Sequence, residues 1–202
     1  MANNILNIDD HYLHYPKDSW GGTDLNNPDM VNPWLEIQEI VDPRRVIEIG
    51  MFAGHGSLLM MNVFKNLVSL DSYDPGGVAA TNARQIQKYY PQHTFYKQPI
   101  WGKESRHTDI DLIFVDGMHD GPEPYRDLES CMKIKPRYIL VDNIEKPDVR
   151  VATKLKQGLW ATKYEPRYWF YTNSKFSSVK NCEMISPGIM GLFKMEGNYE
   201  HN

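Results

Sequence analysis

Cysteine is scarce in this 202-residue chain: only Cys131 and Cys182 occur, and neither sits in a C-x-x-C or Cys/His cluster. A disulfide scaffold and a zinc site are therefore not expected, and a reducing cytoplasm is the natural compartment. Long apolar runs are missing too. None approaches the ~20 residues of a membrane helix, and the first ten residues lack the basic and apolar blocks of a signal peptide. Neither sign of charge dominates. A net charge of −4 and a pI near 6.0 give no global attraction to nucleic acid or to an anionic membrane. Two nucleotide signatures fail as well. A P-loop needs G-x-x-x-x-G-K-[ST], and no Lys lies between Gly50 and Ser57. The dinucleotide fingerprint G-x-G-x-x-G breaks at Phe52 when started from Gly50, and at Leu59 when started from Gly54. These failures argue against ATP and weaken NAD.

What is present is an ordinary globular composition, 41% hydrophobic and 24% charged, which suits one domain that buries its core without covalent staples. No repeat or low-complexity segment interrupts it. Residues 1–31 read as an irregular arm, polar and carrying Gly21-Gly22, Pro28 and the scattered aromatics Tyr12, Tyr15 and Trp20. From Asn32 the pattern Pro33-Trp34-Leu35, Ile37, Ile40, Val41 predicts a short amphipathic helix, with Asn32 as N-cap and Pro33 in the first turn. Strands and helices then alternate. Buried-strand runs fall at 46–49, 67–70, 94–96, 112–115 and 138–141, with helical segments near 55–65, 77–89, 123–133 and 147–158. Such alternation implies a parallel sheet covered on both faces. The 100–109 connection is short, so a reduced helix is expected there. In the tail, strand-like runs at 167–171 and 189–195 flank a polar loop and predict a closing antiparallel pair.

The densest signal is the stretch from Val46 to Ser57, V-I-E-I-G-M-F-A-G-H-G-S, followed at once by the apolar helical pattern Leu58, Leu59, Met60, Met61. Glycines let the backbone turn sharply and approach a ligand closely. The helix behind them offers free N–H groups to an anionic ligand group. An acidic residue two positions before the first glycine is unusual for a site that holds only phosphate. The run E-x-G-x-x-x-G at Glu48, Gly50 and Gly54 resembles the first motif of the class I S-adenosylmethionine (SAM) methyltransferases. That resemblance implies a Rossmann-like three-layer α/β sandwich, with a mostly parallel seven-stranded sheet and a C-terminal antiparallel hairpin. It implies cofactor contacts from Glu48, Gly50, Phe52, Gly54, Ser57, Asp71, Gln98 and Asp116. Asp71, at the end of the second strand, is the carboxylate that would accept the ribose hydroxyls, with Asp74 as the alternative. The chain also departs from the pattern. Many relatives carry Ser at the place of Gly56, so Ser57 is the nearest hydroxyl for the methionyl carboxylate. Lys97-Gln98-Pro99 stands where Gly-Asp often meets adenine, and leaves Gln98 as the base contact.

The fourth and fifth strands end in oxygen donors, Val115-Asp116 and Val141-Asp142-Asn143. Neighbouring strands lie about 4.8 Å apart, which would bring these three residues together. Three hard oxygens without a thiolate suit Mg²⁺, Mn²⁺ or Ca²⁺. The set resembles the metal site of divalent-cation-dependent O-methyltransferases of the catechol and caffeoyl-CoA types. The run Asp116-Gly117-Met118-His119, with Tyr125-Arg126-Asp127-Leu128 after it, is similar to sugar O-methyltransferases of macrolide biosynthesis. His119 lies where relatives place a basic residue, and imidazole accepts a proton near neutral pH. Lys146 is the other candidate base. The expectation is a SAM-dependent, metal-dependent O-methyltransferase acting on a small-molecule sugar or phenol. Neither nucleic acid nor membrane is an expected partner, and a homodimer stays open. A SAM-binding or nucleoside-binding module without catalysis and an NAD-dependent oxidoreductase are the rival readings.

Overall fold

The computed structural model describes Leu13 and residues 28–64, 66–70, 75–143, 168–172, 175–179 and 190–195. The chain divides into two compact units, Met1–Pro99 and Ile100–Asn202.

In the first unit, helix α1 (Pro28–Val41) leads into strand β1 (Val46–Ile49), helix α2 (His55–Val63) and strand β2 (Leu67–Leu70). A 3-10 turn at Pro75–Gly77, helix α3 (Val78–Tyr89) and strand β3 (Thr94–Tyr96) complete it. β2 pairs in parallel with β1 on one side and β3 on the other, in registers that join Val46 to Leu67 and Val68 to Thr94. All four residues of β1 are buried, the mark of a strand covered on both faces. α2 buries His55, Ser57 and every residue from Leu58 to Met61, so it is enclosed on most sides. Truncating Leu58 or Leu59, both fully buried, would cost about 2–5 kcal/mol. α3 buries only Val78, Ala79, Asn82, Ala83 and Ile86, the one-sided stripe of a 3.6-residue period.

One boundary differs from expectation. α1 begins at Pro28, so Asn32 is not its N-cap and Pro33 lies inside the helix. Pro28 itself suits a first turn, and Pro33, only the sixth residue, removes a single early hydrogen bond without ending the helix.

In the second unit, the connection after β3 holds only a 3-10 turn at Glu104–Arg106, the reduced helix anticipated for 100–109. Strand β4 (Leu112–Val115), helix α4 (Glu123–Ile134) and strand β5 (Tyr138–Asp142) follow, with strands β6 (Tyr168–Thr172), β7 (Lys175–Val179) and β8 (Met190–Lys194) after them. β4 and β5 are parallel, with Leu112 opposite Tyr138. β8 runs antiparallel to β5 and to β6, and β6 is antiparallel to β7. The described residues thus contain eight strands, where seven were expected. The additional one, β7, lies in the tail segment read as a polar loop, and Thr172 pairs with Lys175. The short connection is fastened to α4. The Trp101 indole N–H donates to the buried Asp127 carboxylate at 2.7 Å, and Ser130 donates to Glu104 at 2.8 Å.

The predicted helix at 147–158 and most of the N-terminal arm lie outside the described residues. Among the described residues no helix is long and apolar enough to cross a membrane.

Candidate functional site

β1 delivers Glu48 into the interior, where it is 1% exposed, and then breaks into a turn that is left-handed at alternate residues. Gly50 has φ 95°, Phe52 φ 42° and Gly54 φ 83°. A non-glycine residue at positive φ is uncommon, and such strain collects where a loop is held in a working shape. Gly54 cannot be replaced cheaply. Its conformation is left-handed, and an added Cβ would stand 2.8 Å from Met51 Cε and 3.2 Å from Ile86 Cδ1. Its carbonyl accepts the first hydrogen bond of α2, from the Leu58 N–H at 2.9 Å.

Of the expected cofactor residues, Glu48, Gly50, Phe52, Gly54 and Ser57 gather around this turn, but not all in the expected way. Ser57 is fully buried and donates its hydroxyl to the Glu48 carboxylate. It faces inward to the strand, in contrast to the ligand-facing hydroxyl the sequence suggested. Gln98 is half-buried after β3, its backbone N–H donating to the Tyr96 carbonyl at 2.9 Å. Asp71 and Asp74 lie outside the described residues. One residue of the turn went unanticipated. Asn82, fully buried on α3, donates its side-chain amide to the Ala53 carbonyl at 2.7 Å.

In the second unit, Asp116 follows β4 and its Oδ1 lies 3.2 Å from His119 Nε2. Desolvation pushes the Asp116 carboxyl above the usual carboxylate range, against its hydrogen bonds to His119 and Asp142 and the His119 charge. Asp116, His119 and Asp142 are therefore brought together. Asn143, next after β5, has φ 51°, a conformation Asn tolerates better than most residues. Val115, Val141, Leu128, Met118, His119 and Asp142 line a pocket at these strand ends. Lys146 lies outside the described residues.

The metal expectation fares less well. Among the described residues no group of three or more His, Cys, Asp or Glu side chains is arranged to hold a metal ion. Asp116 is instead engaged with His119 and Asp142. The donor chemistry, two carboxylates and an amide oxygen, still matches a hard cation.

No protein-family model matches this chain, and no curated protein matches it in sequence. Solved structures do match in fold. An O-methyltransferase from Bacillus cereus, solved with S-adenosylhomocysteine (SAH), superimposes with a TM-score of 0.60 at 13% identity, over 84% of this chain and 82% of that one. The O-methyltransferase TomG from Streptomyces achromogenes, involved in tomaymycin synthesis and solved with SAM, gives 0.58 at 13% over 85% and 81%. A putative caffeoyl-CoA O-methyltransferase from Staphylococcus aureus gives 0.55 at 11% over 80% of each chain. The chain has the mixed α/β, Rossmann-like fold of these O-methyltransferases, the fold class that the Glu48–Gly54 motif implied.

Proposed function

We propose that this chain is a SAM-dependent methyltransferase domain that methylates a hydroxyl of a small molecule, a sugar or a phenol. The observation that carries the reading is the buried carboxylate of Glu48 beside a strained glycine turn that opens α2, in a fold shared with SAM-binding O-methyltransferases. SAM, when bound, supplies a methyl group on a positive sulfur, which passes to the acceptor oxygen as the carbon–sulfur bond breaks and SAH is left.

The chain's own residues have three tasks. Glu48 meets the ammonium of the amino-acid portion, while the glycine turn and the first N–H groups of α2 meet its carboxylate. Asp71 takes the ribose hydroxyls. His119 accepts the proton that the acceptor hydroxyl loses at its Nδ1, while Nε2 faces Asp116, which orients the ring. The apolar lining from Val115, Leu128, Val141 and Met118 favours an acceptor with an apolar body, which among the two classes is the phenol. Asp116, Asp142 and Asn143 would hold a divalent cation, whose charge would make the acceptor hydroxyl more acidic.

Parallel calorimetric titrations with SAH, NAD and ATP test the reading. SAH alone is expected to bind. Binding of NAD with no response to SAH would transfer the chain to the oxidoreductases. SAH binding without methyl transfer across a panel of phenols and sugars would favour a binding module.

A further inference from the structure

Ser57 and Gly56 occupy unusual places around the Glu48 carboxylate. Ser57, in the first turn of α2, is fully buried and spends its hydroxyl on Glu48 Oε2. Glu48 Oε1 lies on another side, 3.3 Å from the point where a Cβ at Gly56 would stand. Gly56 has no left-handed φ to require a glycine, and glycine is disfavoured against alanine within a helix. A Cβ there would crowd Oε1, and the glycine leaves that oxygen uncrowded on this side. A glutamate side chain has three rotatable bonds, and a hydrogen bond from a buried hydroxyl narrows the rotamers open to it.

We propose that Ser57 is a positioning residue: it holds Glu48 so that Oε1 borders the gap at Gly56, and the gap admits the ammonium of the cofactor's amino-acid portion. The inference rests on the SAM reading above and deepens it. Charge-assisted bonds to a carboxylate are strong but directional, so a loosened Glu48 loses affinity for that one group and not for the nucleoside.

Two probes separate the roles: SAH, and 5′-methylthioadenosine, a nucleoside thioether that lacks the amino-acid portion. Ser57→Ala, Gly56→Ala and Glu48→Gln should each weaken SAH roughly tenfold or more while leaving 5′-methylthioadenosine unchanged. Ser57→Cys, similar in size and a weaker donor, should fall between wild type and Ser57→Ala. If Ser57→Ala weakens both probes alike, or neither, Ser57 is only structural and the proposal is overturned. Should Ser57→Ala not fold, an unaltered SAH preference in Ser57→Cys overturns it in the same way. Failure of the wild-type protein to bind either probe would instead overturn the SAM reading, and this inference with it.

Discussion

The side-chain amide of Asn82, midway along α3, donates to the carbonyl of Ala53 at 2.7 Å across 29 residues of sequence. That bond ties the strained glycine turn to a helix outside it. Asn82→Leu keeps the branched shape, in a larger side chain, but leaves a buried carbonyl without its donor, at a cost of about 1–3 kcal/mol for the lost bond. The variant should unfold at lower denaturant and bind SAH more weakly than wild type. Unchanged SAH affinity in a destabilised variant would show that the turn keeps its shape without Asn82.

Acid should weaken the first unit through His93. Burial lowers its imidazole from 6.5 to about 4, because the interior disfavours the charged form. A depressed pKa gives stability that is complete above the unfolded value and is lost as pH falls through the folded one. The window therefore runs from about pH 6.5 down to about 4, with about 3 kcal/mol at stake. Denaturation of wild type and His93→Gln across that range checks it. The wild type should lose stability with a steeper slope, and parallel curves would refute the assignment.

The base is tested at His119. His119→Ala should lower kcat by about 10²–10⁴-fold with an acceptor found by screening, while SAH affinity stays nearly constant. Lys146→Met is the comparison. If that change removes activity and His119→Ala does not, the proton goes to Lys146.

A cation is tested through stability as well as turnover. Mg²⁺ or Mn²⁺ should raise the melting temperature of the wild type, and Asp142→Ala should abolish the rise. Chelator should then suppress methyl transfer. No thermal shift, together with full activity in chelator, would place this chain among metal-independent methyltransferases.

The strands were readable because those buried on both faces appear as unbroken apolar runs; Val46–Ile49 and Leu112–Val115 are buried at every position. The turn after β1 was readable for a different reason, since left-handed backbone calls for glycine at Gly50 and Gly54. What escaped was direction and partnership. A serine early in a helix can face a ligand or the core, and only the packing turned Ser57 to Glu48. Asn82 was open to discovery, since it stands on the stripe of Val78, Ala79, Ala83 and Ile86, where a polar residue must find a partner. β7 was missed because K-F-S-S-V is short and half polar, and its pairing with β6 comes from tertiary context. The early start of α1 was hidden by a second proline that the helix absorbs.

The placement of β8 sets an order on synthesis at the ribosome. The strands of the first unit are all synthesised by Tyr96. Those of the second unit wait on β8. β8 pairs with both β5 and β6, so the strand that joins them emerges last of the eight. Until Met190–Lys194 leaves the exit tunnel, β5 and β6 each present an open edge, the kind of surface on which nascent chains aggregate. A chain stalled or cut before Met190 would carry a finished glycine turn in its first unit and leave the edges of β5 and β6 in its second unit without the strand that joins them.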